Sequence, residues 1–413
     1  MSKAVVVGLM YLVAFSVSAQ TNNTMIVDWG DDTFDQLFPP FQNINVTNVA
    51  TGFEHSLAIL DRQTVIAWGD DTYGQLSVPT GIVNPIKVAV GLGHSVVLQS
   101  DGTVVAWGFN EFGQSNVSTL NNVIDISAGD EHTAALLADG TVTILSGPGA
   151  TYDLTPPVGL SDVVAIASGN FHIVALRSDG TVVSWGANEF LQTDVPAGLT
   201  DVIAVDAGLF HSMALRSDGT VLGWGDNELF RQLDAPSGLP PFTDLRVGSF
   251  HNIVLNGSGE LAAWGSNRFK EREIPQVLQG RVVSLITAGF AHNTVVASNQ
   301  APTAISIPDT IFVFEDVEVE TEIAFLDTQD PDIIDDHNYL LVPGAGDDDN
   351  ASFQVRLGLP KPQIDDDLFW GPFISDDAII NLIPFNYETD SIYRIRLRAV
   401  DLGGLTVEKP VVI

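Results

Sequence analysis

Gly-x-x-His recurs seven times in this chain, at Gly52/His55, Gly91/His94, Gly129/His132, Gly169/His172, Gly208/His211, Gly248/His251 and Gly289/His292. Successive steps are 39, 38, 40, 39, 40 and 41 residues. A unit of that length cannot bury a hydrophobic face by itself, so repeats on a fixed beat must stack on one another. Trp-Gly keeps the same beat at Trp29, Trp68, Trp107, Trp185, Trp224 and Trp264, and Leu145-Ser146 stands in the seventh place.

Within a unit the pattern is that of short strands. Residues 201–206 alternate and residues 212–215 form an apolar run, both readings of half-buried strands. Asp218-Gly219 then offers the positive φ angles of a tight hairpin, as do Asp101-Gly102, Asp139-Gly140 and Asp179-Gly180. A third strand over 220–224 ends in Trp-Gly, and a polar turn leads to an outer edge strand closing at Pro236, where a missing donor costs little. Four strands per unit is one propeller blade, and seven units make an all-β, seven-bladed β-propeller. No Trp-Gly strand follows the last Gly-x-x-His on the repeat's beat, whereas residues 25–30 and 36–39 supply that missing half at the other end. N- and C-terminal strands are therefore expected to share one blade, which removes an open edge.

A residue needed once for catalysis has no reason to recur in every unit, so the seven histidines read as scaffold that ties backbone groups together. The tryptophans read as filler between blades. Function belongs where the units disagree. The residue before each repeat histidine is, in order, Glu54, Gly93, Glu131, Phe171, Phe210, Phe250 and Ala291. Phe171, Phe210 and Phe250 are expected to form an apolar arc on one face, with Glu54, Asp130 and Glu131 as an acidic arc opposite, together a surface for a protein partner. Catalytic signals are thin: there is no Gly-rich phosphate loop, no serine-nucleophile motif and no histidine pair at metal spacing. The expectation is a binding protein and not an enzyme. An active site for polysaccharide in the propeller mouth is the alternative, and it would need two carboxylates facing each other.

The chain has 413 residues, no cysteine and a net charge of -35, which rules out disulfides and thiolate metal sites and makes nucleic acid and anionic membrane surfaces poor partners. Residues 1–19 show a charged start, an apolar stretch too short to span a bilayer and a small-residue cleavage site, and so read as a secretory signal. The expected location is therefore secreted or at the cell surface. From Ala301 onward 23 acidic residues face 6 basic ones, a composition shift that marks a boundary near Asn299 between a propeller over 20–298 and a second domain over 299–413.

The stretches "HSLAIL…VIAWGDDTYGQLSVP", "HIVALRSDGTVVSWGANEF" and "HSMALRSDGTVLGWGDN" resemble the repeats of the regulator of chromosome condensation family, over roughly residues 25–298. The short unit is more similar to a bacterial branch that includes a secreted β-lactamase inhibitor propeller than to the longer-repeat nuclear exchange factor. The inhibitor resemblance implies a dedicated enzyme inhibitor as a further reading. The exchange factor would imply guanine-nucleotide exchange, but steps of 38 to 41 residues leave no room for an inserted wedge. The stretches "NQAPTAISI", "DTQDPD" and "FNYETDSIYRIRLRAVDLGG" resemble a bacterial cadherin-like β-sandwich. That resemblance implies calcium held by Asn299, Glu315, Asp330, Asp332, Glu388 and Asp401, and a role in adhesion or spacing. Clustered carboxylates supply the hard oxygens calcium takes. Asn386 stands where the family has Asp, and residues 356–375 look like an insertion, so the distal site is expected to be incomplete.

Overall fold

The computed structural model describes residues 24–37, 39, 45–147, 149–239 and 241–298, with shorter stretches between 304 and 413. Up to Ser298 the described residues form seven three-stranded antiparallel sheets on the repeat period. The first is Val46–Thr51, His55–Leu60 and Thr64–Gly69; the second Pro85–Val90, His94–Gln99 and Val104–Gly108; the third Val123–Ala128, Thr133–Leu137 and Val142–Leu145. The fourth is Val163–Ser168, His172–Arg177 and Val182–Gly186; the fifth Val202–Ala207, His211–Arg216 and Val221–Gly225; the sixth Phe242–Val247, His251–Asn256 and Leu261–Gly265. In the seventh, Val283–Ala288 and His292–Ser298 are completed by Thr24–Gly30 from the start of the chain, paired from Thr24↔Ser298 to Gly30↔His292.

The middle strands of the first two sheets show why these segments are strands: HSLAIL and HSVVLQ are almost wholly buried and rich in β-branched or large aliphatic residues. Leu57, Ile59 and Val97 of those two sheets pack in one cluster with Trp107, and comparable clusters fill the other junctions. First strands pack on first strands of the next sheet, and Val283–Ala288 packs back on Val46–Thr51. Each first strand carries a bulge at its second residue.

Two details differ from the expectation. The fourth, outer strand of each unit is absent among the described residues. Its place is taken by turns, and in four units an aromatic-x-Gln sequence follows Trp-Gly whose buried glutamine accepts the aromatic residue's amide. Tyr73 N donates to Gln75 Oε1 at 2.7 Å, Phe112 N to Gln114 at 3.0 Å and Phe190 N to Gln192 at 2.9 Å. In the Asp-Gly hairpins, only the glycine has positive φ, +80° at Gly102 and +79° at Gly180. The aspartate instead accepts the amide and hydroxyl of the following threonine, as Asp101 Oδ1 does from Thr103 at 3.0 and 2.6 Å. That geometry is a turn followed by one left-handed residue, not a pair of them.

Beyond Ser298 two three-stranded antiparallel sheets are described, Glu322–Phe325 with Ala378–Asn381 and Phe353–Arg356, and His337–Leu341 with Arg394–Asp401 and Thr406–Val412. Phe353 and Ile379 of one share a buried cluster with Ile395, Leu397 and Val411 of the other. Asn299, Glu315, Asp330, Asp332 and Glu388 lie outside the described residues, as do the Asp401 side chain and residues 1–19. Among the described residues no helix is long and apolar enough to cross a membrane.

Candidate functional site

Six of the seven histidines pair in register with the glycine of a Trp-Gly, as His55 does with Gly69 and His211 with Gly225, and in the third sheet Thr133 pairs with Leu145 beside the corresponding position. The loop before the histidine and the turn after Trp-Gly therefore emerge at the same end of every sheet. This end is the histidine face.

Its floor is a belt of histidines. All seven are fully buried, and six reach the residue one past the histidine of the next sheet. His55 Nε2 meets Ser95 Oγ at 3.0 Å, His94 meets Thr133 at 2.9 Å, His172 meets Ser212 at 2.8 Å, and His292 meets Ser56 at 3.3 Å. His211 and His251 meet the Oδ1 atoms of Asn252 and Asn293 at 3.1 and 2.9 Å. The Ser95 hydroxyl donates onward to Gln75 O, which also accepts Trp107 Nε1 at 2.8 Å. With that hydroxyl proton committed, and with an asparagine oxygen able only to accept, the histidine must carry its proton on Nε2. Burial pushes the imidazoles down to about 3 at His55, His132, His172 and His292 and to about 4 at His94 and His211, and lowers His251 too. The belt is neutral and closed off from solvent. It also explains the glycine of Gly-x-x-His: a Cβ on Gly91 would collide with the His94 ring and with Gly129 O. Every one of the seven glycines faces the carbonyl of the next in this way, and Gly289 faces Gly52. The His132 ring alone has neither nitrogen hydrogen-bonded, because Ile173 fills the position its partner should hold.

Above the belt lie the residues that differ between units. Phe171, Phe210, Phe250, Glu54, Asp130 and Glu131 are all half-buried there. The arc is real but differently composed. Phe210 and Phe250 are 6.1 Å apart between ring centroids, Phe250 and Phe290 are also 6.1 Å apart, and Phe290 stacks on Phe53 at 3.8 Å. Phe171 packs on Tyr152 at 5.4 Å instead. Each phenylalanine before a histidine carries an aromatic from the preceding turn: Tyr152 on Phe171, Phe190 on Phe210 at 4.2 Å and Phe230 on Phe250 at 5.0 Å. A Cβ on Gly93 would meet the Tyr73 ring, so glycine stands where tyrosine already covers the loop. The phenylalanines thus bridge neighbouring sheets and still present ring surface. Phe190, Leu191 and Leu229 in the turns of this face are exposed, as is Tyr73, which packs on Phe109 at 4.7 Å.

Sequence reading missed Phe53, Phe290, Phe190 and Phe230. The signal available was the aromatic-x-Gln beat at Phe34, Tyr73, Phe112, Phe190 and Phe230.

The acidic residues of this face already have neighbours within the fold. Asp130 Oδ1 accepts Asn170 Nδ2 at 2.9 Å from the next unit, and burial pushes its carboxyl up to about 7. Glu131 clamps Thr151, taking its amide at 2.6 Å and its hydroxyl at 2.9 Å. Both carboxylates are engaged by neighbouring loops. Glu54 is raised by burial and then by the charges of Asp70 and Asp31, an anionic cluster beside Phe53. Among the described residues no group of three or more His, Asp or Glu is placed to hold a metal ion.

The regulator of chromosome condensation (RCC1) repeat matches residues 46–75, 86–114, 163–192 and 202–230. Prp20p of Saccharomyces cerevisiae, a protein with binding properties to Gsp1p and histones, superposes with TM-score 0.57 at 19% identity, over 68% of this chain and 93% of that one. Human WBSCR16 superposes with TM-score 0.54 at 18% identity, over 67% of this chain and 99% of that one. Yeast RCC1 (Prp20) in complex with Kap60 gives TM-score 0.57 at 18% identity, over 72% and 97%. No curated protein matches the chain. The likeness is one of fold: an all-β chain of RCC1-type repeats.

Proposed function

We propose that the seven sheets are the blades of one closed propeller whose histidine face binds a protein partner, without enzymatic activity. The run Phe190–Phe210–Phe250–Phe290–Phe53 carries this reading, because it joins aromatics from five loops into one half-buried surface with exposed rings beside it. Monomeric surfaces rarely leave such patches without use. The nearby Glu54 cluster favours a partner with a basic side. The leader-like pattern of residues 1–19 supports a protein working outside the cell.

The test is capture. Buried aromatic anchors often carry about 2 kcal/mol or more each. Replacing Phe210, Phe250 and Phe290 with alanine should abolish partner capture from culture medium while the far-ultraviolet spectrum stays that of the parent. Glu54→Gln should slow association and flatten its salt dependence. Full capture by the triple variant would exclude the face.

We further propose that residues 299–413 bind calcium and act as an adhesion or spacer module, a reading supported by the clustered carboxylates of that stretch. Sites in extracellular modules commonly bind at about 0.1 to 1 mM, and a tenfold excess stabilises by roughly 1.4 kcal/mol per site. Calcium should raise the melting temperature of the full chain's less stable transition and chelator should lower it. The module is not a calcium site if that transition ignores both calcium and Asp330→Ala with Asp332→Ala.

A further inference from the structure

The end of the ring opposite the histidine face is divided in a way that packing does not require. The bulge residue of every first strand lies at this end. In three adjoining sheets it is a hydroxyl that returns to a carbonyl of its own sheet: Thr243 Oγ1 to Leu255 O at 3.2 Å, Ser284 Oγ to Val296 O at 3.1 Å and Thr47 Oγ1 to Ile59 O at 3.2 Å. In the second to fifth sheets it is Ile86, Ile124, Val164 and Ile203, exposed by 50%, 53%, 51% and 54%. The position accepts a small polar residue wherever one occurs, so four exposed β-branched side chains in consecutive sheets are not demanded by the fold. Scattered apolar residues at a surface mean little, but a row at equivalent positions is a patch.

The same four sheets carry the Asp-Gly-Thr hairpins. Asp101, Asp139, Asp179 and Asp218 are exposed, and each uses Oδ1 to accept the threonine amide and hydroxyl. Those bonds hold the carboxyls below their usual range, so the charges are permanent and fixed in place. Backbone bonds set acid beside aliphatic. Val123 N, next to Ile124, donates to Gly102 O, next to Asp101, at 3.1 Å; Val163 N donates to Gly140 O at 3.2 Å, and Val202 N to Gly180 O at 3.3 Å. Asp101 therefore neighbours Ile124, Asp139 neighbours Val164 and Asp179 neighbours Ile203. The alternation ends where Asp218 meets Thr243, through Phe242 N and Gly219 O at 2.9 Å. Arg177 and Arg216 are the cations of these hairpins, and Arg216 is drawn toward Asp201 at 3.8 Å.

We infer that this four-sheet arc is a second docking surface, for an extended segment of a basic protein partner whose side chains alternate between cationic and aliphatic. Fixed carboxylates meet the cations, and the β-branched row meets the aliphatic side chains between them. Charge complementarity selects this occupant over an acidic segment, and the apolar row separates it from a merely cationic one.

The experiment uses the full chain and a labelled synthetic peptide of alternating Lys and Val, read by fluorescence anisotropy at low and high salt. Alternating Lys-Ser and Glu-Val peptides serve as comparisons. The Lys-Val peptide should bind about tenfold or more tightly than either, a step of about 1.4 kcal/mol. Ile86→Thr, Ile124→Thr, Val164→Thr and Ile203→Thr combined install the residue type found in the other sheets and should remove that advantage. Asp101→Asn, Asp139→Asn and Asp179→Asn keep the hairpin acceptor and should weaken binding while flattening its salt dependence. The phenylalanine variant of the histidine face should bind the peptide as the parent does, which keeps the two surfaces distinguishable. Absence of binding, equal binding of Lys-Val and Lys-Ser, or undiminished binding by the threonine variant would each overturn the inference.

Discussion

Deleting residues 20–37 is expected to cost the propeller its folded monomeric state. The strand Thr24–Gly30 buries Met25, Ile26, Val27 and Trp29, and it pairs along its full length with His292–Ser298. Its side chains serve two junctions. Met25, Val27 and Trp29 pack with Ile253 and Ile286 toward the sixth sheet, and Ile26 packs with Val49 and Trp68 of the first. Trp29 Nε1 also donates to Glu271 O at 2.9 Å. Losing one large buried side chain costs about 2 to 5 kcal/mol, so four together cost as much as the roughly 5 to 15 kcal/mol by which a domain is stable. The remaining edge would offer unpaired donors and acceptors to other chains. Size-exclusion chromatography should show aggregate in place of monomer, and a synthetic peptide of residues 20–37 supplied during refolding should restore monomer. A truncated chain that is monomeric with the parent's melting temperature would mean that the ring closes without this strand.

The second large effect is acid unfolding between about pH 6.5 and pH 4. All seven belt histidines have folded values below the ordinary 6.5 that applies when unfolded. Below 6.5 the unfolded chain takes up protons that the folded belt refuses, so stability falls with pH until the folded values are reached. Three buried carboxyls act in the other direction: burial raises Asp28 and Asp130 to about 7 and Asp206 to about 6, so they are protonated in the folded chain over much of the same range. Asp32 and Glu54, raised by burial as well, add to the carboxyl side, and the seven histidines still outnumber them. Each uncompensated group is worth about 1.4 kcal/mol per pH unit, so a drop of two units removes a large share of a domain's stability. Denaturant midpoints measured from pH 7.5 downward should therefore collapse near pH 5, well before exposed carboxylates titrate. A midpoint that stays level from pH 7 to pH 4.5 would show that the belt tolerates charge.

Much of this was readable without coordinates. The period of Gly-x-x-His and Trp-Gly predicted seven equivalent sheets, and the recurrence of the histidine in every unit predicted a structural role. Both follow from local pattern, since a residue repeated in every unit answers to a constraint present in every unit. The glycine's reason was hidden, because it depends on the next unit's carbonyl about 40 residues away.

Tertiary structure decided what distinguishes one unit from another. Phe53 and Phe290 lie 237 positions apart in the chain yet stack at 3.8 Å, because ring closure brings the first and last sheets together. Asp130 and Glu131 read alike as free acids, but Asn170 and Thr151 happen to stand within hydrogen-bond reach and employ them in the scaffold. The segment after Trp-Gly had the length for a fourth strand, and turns stand there instead, with a buried glutamine accepting the aromatic residue's amide in four units. The sequence by itself determined the repeated element, since hydrophobic alternation and turn residues act over a few neighbours. Only the assembled ring decided which side chains meet across its junctions, since those contacts depend on the three-dimensional stagger between sheets.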